Sequence, residues 1–237
     1  MRPYIIGHRG YPAKYPENTI ASFLAALYYG ADGVEFDVRL TQDGIPVVIH
    51  DADTRRIAGV GCEVKKTSLI KLKKLHLGLA QNIPTLEEVC KALPAKIMLL
   101  VEIKNVEAVE PALEIVKKYG RLNNTIIVSF MPEALSKAKK YIPGVKTGLN
   151  IVSAEKIQFG LTEWKDIGLS TLNPSIDSLK MVDVNLFKIF LKHAGLQGFE
   201  TFIWTVNNPE SIKGFIDLIN GVITDEVELF VKAYEGK

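Results

Sequence analysis

The chain has 237 residues, 47% of them apolar, enough to bury a sizeable core as one large domain or two small ones. A net charge of +2 and the absence of any cluster of five basic residues argue against a nucleic-acid or membrane surface. The apolar run at residues 97–101 is far short of the ~20 residues that span a bilayer, and the N-terminus turns polar at His8 without a signal-peptide core. The expectation is a soluble, cytoplasmic protein with no nucleic-acid partner and no stable membrane anchor.

Residues 4–8 form the first strand-like run, which leads into Gly7-His8-Arg9-Gly10. Pro16-Glu17-Asn18-Thr19 then introduces a helix over 18–29, with Ile20, Phe23, Leu24 and Leu27 at helical spacing and Glu17 or Asn18 as its cap, a site-organising role for the motif being the alternative. The next strand, 33–39, carries Glu35 and Asp37, which share one face because they lie two apart. Thr41-Gln42-Asp43-Gly44 reads as a structural turn, with Gly44 at positive φ, before a strand at 46–50.

Residues 52–84 interrupt this rhythm with Gly59-Val60-Gly61, a short basic helix around 68–74 and no strong strand. Lys71, Lys73 and Lys74 there read as a solvated face, and most of the apolar residues are expected to be spent on packing. Strands resume at 96–103, 125–130, 145–151, 170–173, 201–206 and 221–224, with helical segments between nearly all of them. One such segment, 107–119, places Val109, Leu113, Val116 and Tyr119 on one stripe. Cys62 and Cys90 fit no metal-ligand spacing and read as two independent thiols.

Strands joined by crossover helices run parallel, so the alternation predicts a (β/α)8 barrel or an open doubly wound sheet. The barrel is favoured because His8, Glu35 with Asp37, His50, and Glu102 with Lys104 all fall at strand ends, where barrel enzymes build their sites. The first strand is also not followed by a dinucleotide-binding glycine fingerprint. The fold class expected is α/β, a TIM (β/α)8 barrel in a single domain over 1–237. Its small insertion, 52–84, follows the second barrel strand region and lies over the C-terminal face.

These residues suit cleavage of a phosphate ester. Phosphodiester cleavage needs the barrier lowered by roughly 8 to 23 kcal/mol, through positioning, charge neutralisation and proton transfer. Glu35, Asp37 and Glu102 supply three oxygen ligands for one hard divalent ion, Mg2+ or Ca2+, with Mn2+ as a further candidate. His8 and His50 supply a base and an acid near neutral pH, while Arg9 and Lys104 meet the remaining phosphate charge. Glu102 and Lys104 would equally well form an ordinary ion pair of a barrel strand.

Beyond these, Gly30-Ala31-Asp32, His50-Asp51, Glu102-Ile103-Lys104, Trp204-Thr205-Val206-Asn207 and Ile223-Thr224-Asp225 complete an ordered series of motifs from residue 7 to 225. The series resembles the glycerophosphodiester phosphodiesterase family. That resemblance implies a TIM barrel that hydrolyses a small-molecule glycerophosphodiester to an alcohol and glycerol 3-phosphate with a divalent metal. It implies metal ligation by Glu35, Asp37 and Glu102, acid-base roles for His8 and His50, phosphate contacts from Arg9 and Lys104, and a pocket wall at Trp204.

In the family-like mechanism His8 is taken as the base and His50 as the acid, although the sequence does not fix which is which. The nucleophile is left open between water and a glycerol hydroxyl, which would give a cyclic phosphate. Two alternatives are a lysophospholipase D or lyase-type phosphodiesterase, and a non-catalytic barrel that binds phosphates or polyols. The chain departs from the family pattern at Glu226-Val227, where many relatives carry an aromatic residue and proline. His76 and His193 match no motif, and the oligomeric state is left open.

Overall fold

The computed structural model describes residues 2–152, 164, 166–180 and 182–234. Among them, nine strands fall where sequence periodicity expects them, with ends shifted by up to a few residues. In chain order the first half comprises β1 (Tyr4–His8), α1 (Ile20–Tyr28), β2 (Gly33–Leu40), β3 (Pro46–Val48), α2 (Arg55–Ala58), α3 (Leu69–Leu72) and α4 (Leu86–Ala92). There follow β4 (Met98–Ile103), α5 (Val109–Lys118), β5 (Thr125–Ser129), α6 (Pro132–Tyr141), β6 (Lys146–Ile151) and β7 (Thr171–Pro174). The chain continues through α7 (Val184–Leu196), β8 (Glu200–Ile203), β9 (Gly221–Thr224) and α8 (Val227–Tyr234). Residues 153–163, in the connection from β6 to β7, lie outside the described residues.

Eight strands pair in parallel in the order β1, β9, β8, β7, β6, β5, β4, β2, and β1 pairs with β2 to close the barrel. The fold is therefore a TIM barrel. β3 stands outside it, antiparallel to β2, with Val38 opposite Val48. The turn at 41–44 makes this reversal possible, Gly44 supplying a φ of 73°. His50 consequently follows a hairpin strand rather than a barrel strand, and the reversal returns the chain to the site: the Ile49 N–H donates to the Asp37 carbonyl at 2.9 Å.

Side-chain alternation sorts the core into layers. Ile6, Leu100, Val128, Phe202 and Ile223 cluster inside the barrel, while their neighbours Ile5, Leu99, Val101, Ile127, Ile203 and Val222 belong to the larger core with the helices. Two positions beyond each inward apolar residue comes a polar or aromatic one: His8, Glu102, Phe130, Trp204 and Asp225. The strand period thus carries five side chains to the same end of the barrel.

A third cluster, Val47, Ile49, Val64, Leu72 and Ile83, lies under the insertion, with Ile57, Leu69, Leu75 and Leu77 packed against it. β3 is the seam, since Val48 faces the main core while Val47 and Ile49 face the insertion. Val60, Ile70 and Leu79 are exposed rather than packed. Cys62 is partly buried at the insertion cluster and Cys90 is buried in the main core, both as free thiols.

Candidate active site

The Gly7-His8-Arg9-Gly10 segment makes a tight corner at the end of β1. A Cβ on Gly7 would come within 2.3 Å of the Gly10 carbonyl oxygen, and Gly10, at φ 92°, packs against Ser22 with no room for a side chain. Arg9 itself takes φ 53°, a strained conformation for a residue with a side chain. The Arg9 carbonyl accepts from Asn18 N–H and Ser22 Oγ, which ties the corner to the start of α1.

The expected cap on α1 differs from the sequence reading. Thr19 is the cap, accepting from Ser22 N–H at 3.2 Å, which frees Glu17 and Asn18 for the site. Asn18, at φ 57°, donates from Nδ2 to Asp37 Oδ2 at 2.8 Å. Glu17 receives Arg9 Nη1 at 2.9 Å.

Glu35, Asp37 and Glu102 converge, each offering an oxygen so that these atoms lie within 4.8 Å of one another, and all three are buried. Burial, reinforced by Asp37, pushes Glu35 and Glu102 above the usual carboxylate range. Burial opposes ionisation of Asp37 too, but Lys104 and Arg9 outweigh it and hold its pKa down. Lys104 Nζ lies 2.8 Å from Asp37 Oδ1 and also bonds Glu102 Oε1.

Arg9 Nε lies 3.3 Å from Asp37 Oδ2 but makes no hydrogen bond, so it is a buried donor still to be satisfied. Asn150 Nδ2 donates to Glu102 Oε2 at 3.2 Å and is itself held by Asn173. Three buried acids faced by two cationic side chains leave a net negative charge that fits a site for one divalent cation, the all-oxygen donor set suits a hard ion, and the unsatisfied Arg9 donor suits an anionic acceptor.

The histidines flank this cluster in matching arrangements. His8 Nδ1 lies 2.7 Å from Asp225 Oδ1, which leaves Nε2 toward the carboxylates, 4.0 Å from Glu35. Asn207 fixes Asp225 twice, donating to Oδ2 at 2.7 Å and accepting its N–H at 2.9 Å. His50 Nδ1 lies 2.7 Å from Asp51 Oδ1. Burial works against charge on His8, but the bond to Asp225 and nearby Glu35 outweigh it and raise its pKa. Burial lowers the pKa of His50, and Asp37 and Asp51 only partly offset this.

His8, Arg9, Glu35, His50, Glu102, Lys104 and Trp204 line one cleft, with Val128, Phe130, Asn150 and Ile223 completing the wall. Asp37 lies beneath, joined to the lining through Lys104. Trp204 is pinned by its Nε1–H to the Asn173 carbonyl at 2.7 Å and meets Phe130 edge-on at 5.5 Å. All eight residues read from the sequence are therefore brought together. His76 and His193 are exposed and do not line this cleft. Sequence reasoning missed Asp225, Asn207, Asn150 and Phe130 as parts of the site, although strand parity from Ile223 and Val128 would have placed Asp225 and Phe130 facing inward.

Known proteins match over the same extent. A family model described as the glycerophosphoryl diester phosphodiesterase family matches residues 8–229. A glycerophosphodiester phosphodiesterase of Caldanaerobacter subterraneus subsp. tengcongensis is 34% identical, the match covering 98% of this chain and 97% of that protein. The crystal structure of a glycerophosphodiester phosphodiesterase from Thermotoga maritima superposes with a TM-score of 0.87 at 35% identity, covering 98% of this chain and 99% of that one. An Oleispira antarctica phosphodiesterase, solved with the product sn-glycerol-3-phosphate, has a TM-score of 0.88 at 25% identity, covering 99% and 98% of the two chains. With the match running nearly end to end, this chain belongs to the glycerophosphoryl diester phosphodiesterase family and is an enzyme of that family.

Proposed function

We propose that this enzyme hydrolyses a glycerophosphodiester to an alcohol and glycerol 3-phosphate, using one divalent cation held by Glu35, Asp37 and Glu102. The observation that carries the reading is the pair of histidines, each with Nδ1 against an aspartate, in one cleft with the three buried carboxylates. When bound, the cation supplies positive charge against a phosphate oxygen and lowers the pKa of a bound hydroxyl.

The chain's own residues do the rest. Arg9 and Lys104 meet the phosphate charge, Arg9 with its planar fork and Lys104 as a point charge. One histidine takes the proton of the attacking hydroxyl through Nε2, and the phosphorus–oxygen bond to that hydroxyl forms. The bond to the leaving alcohol breaks, and the other histidine gives that oxygen its proton. Asp225 and Asp51 fix the Nδ1–H tautomer and so keep Nε2 available. Trp204 and Phe130 form an apolar wall suited to the carbon face of a glycerol unit.

The two histidine roles are assigned by leaving group. A glycerophosphate ester of nitrophenol needs little protonation on departure, so the His→Ala variant that loses activity on glycerophosphocholine but retains it on the nitrophenyl ester has lost the acid. Loss on both esters in His8→Ala and in His50→Ala alike would contradict the acid-base pair. Product analysis for a cyclic phosphate identifies the attacking hydroxyl as water's or the substrate's own.

A further inference from the structure

We propose that Arg56, on helix α2 of the insertion, is a positioning residue that sets both sides of the site, holding His50 through Asp51 and Arg9 through Glu17. Arg56 does not line the cleft with the histidines, so its effect passes through the two carboxylates.

Its guanidinium spends all three nitrogens on them. Nε lies 2.6 Å from Asp51 Oδ2, while the other oxygen of Asp51 lies 2.7 Å from His50 Nδ1. Nη1 and Nη2 reach Glu17 Oε2 and Oε1 at 2.8 and 2.7 Å, and that same Oε1 receives Arg9 Nη1 at 2.9 Å. The two carboxylates come from different parts of the chain, Glu17 from the corner before α1 and Asp51 from the segment after β3. Only a rigid fork fixes both in direction as well as distance; an ammonium group would attract them without orienting either.

The Arg56 contact joins the insertion, which packs on its own apolar cluster, to the rim of the site. α2 has four residues, none fully buried, and Ile57 is its one apolar contact with the insertion cluster. Its polar attachments are Arg56 and the Thr54 hydroxyl, which donates to the Val60 carbonyl and accepts from Cys62 N–H. Because the Arg56 side chain is half exposed, its ion pairs contribute little to global stability. A defect on removing it is therefore a defect of geometry at the site rather than of folding.

The kinetic half of the test rests on the proposed hydrolysis; the spectroscopic half does not. In steady-state assays of the full chain with glycerophosphocholine and divalent cation, Arg56→Gln lowers kcat about tenfold or more through His50 and raises KM severalfold through Arg9. Added to Asp51→Asn, the same change moves only KM; added to Glu17→Gln, it moves only kcat. Arg56→Lys follows Arg56→Gln, while Arg55→Gln, which removes the same charge from the same helix, stays within about twofold of wild type. A clamp is overturned if Arg56→Gln leaves both constants within twofold, if its effects are additive in both backgrounds, if Arg56→Lys matches wild type, or if lost activity follows a lost folded fraction.

Independently, imidazole 15N spectra of the full chain show His50 as the Nδ1–H tautomer. Arg56→Gln shifts the His50 ring signals and leaves those of His76 and His193 in place; unmoved His50 signals overturn the clamp. If the wild type turns over no glycerophosphodiester, the functional reading fails, and the ring spectra judge the clamp alone.

Discussion

Asp225 has no direct part in the proposed reaction, yet it holds His8 Nδ1 at 2.7 Å while Asn207 holds Asp225. Replacing Asp225 by Asn keeps the shape but lets the ring adopt either tautomer and turn. Asp225→Asn is expected to lower kcat about 10- to 100-fold with little change in melting temperature, measured by steady-state kinetics beside thermal unfolding. Unchanged kcat would show that His8 needs no support. Asp225 and Asn207 stood in quoted motifs without an assigned role, because residue type alone does not say which ring a carboxylate meets. Glu17 and Arg56 were further from reach: they lie 39 positions apart, Glu17 on an irregular segment and Arg56 on a single helical turn, with no periodicity to place one against the other. The three converging acids and the histidines were legible because the strand period orients Glu35, Asp37, Glu102 and His8 and a short hairpin returns His50.

At the scale of elements, the nine strand runs were visible as β-branched stretches, but the direction of β3 was not. Periodicity reports which face a residue takes; strand direction is set by the connection, here the turn at 41–44, too short for a parallel crossover, and by the pairing of Val38 with Val48. The start of α1 was misplaced for a similar reason, since Asn18 adopts the left-handed region to reach Asp37 and leaves the capping to Thr19.

The insertion has its own acid sensitivity. Asp51 is held down to about 2 by hydrogen bonds from Arg56 and His50 that overcome the opposing effect of burial. A lowered carboxylate contributes its full stability above its unfolded value, about 3.9, and loses it as the pH falls through the folded value. Amide exchange in residues 52–84 is therefore expected to rise relative to the barrel strands between about pH 4 and pH 2, and Asp51→Asn to remove that pH dependence. Equal loss of protection in insertion and barrel would refute separate anchoring.

For the molecule as a whole, two strand pairings make the site: β2 beside β4 brings acids 67 residues apart in sequence to one rim, and closure of β1 onto β2 sets His8 beside Glu35. The charge arrangement then predicts a ligand-linked stability. A divalent cation bound only by the folded state adds about 2.7 kcal/mol at a concentration of 100 Kd. Mg2+, Mn2+ or Ca2+ should therefore raise the melting temperature of the wild type and much less that of Glu35→Gln; equal shifts in both would place the ion elsewhere.

The most direct test of the account is glycerol 3-phosphate release from glycerophosphocholine and glycerophosphoethanolamine by wild type and His8→Ala, with and without each of the three cations. The account predicts release by the wild type that depends on the cation and is lost in His8→Ala. Release that needs no cation or survives His8→Ala, or no release from either substrate, would contradict it.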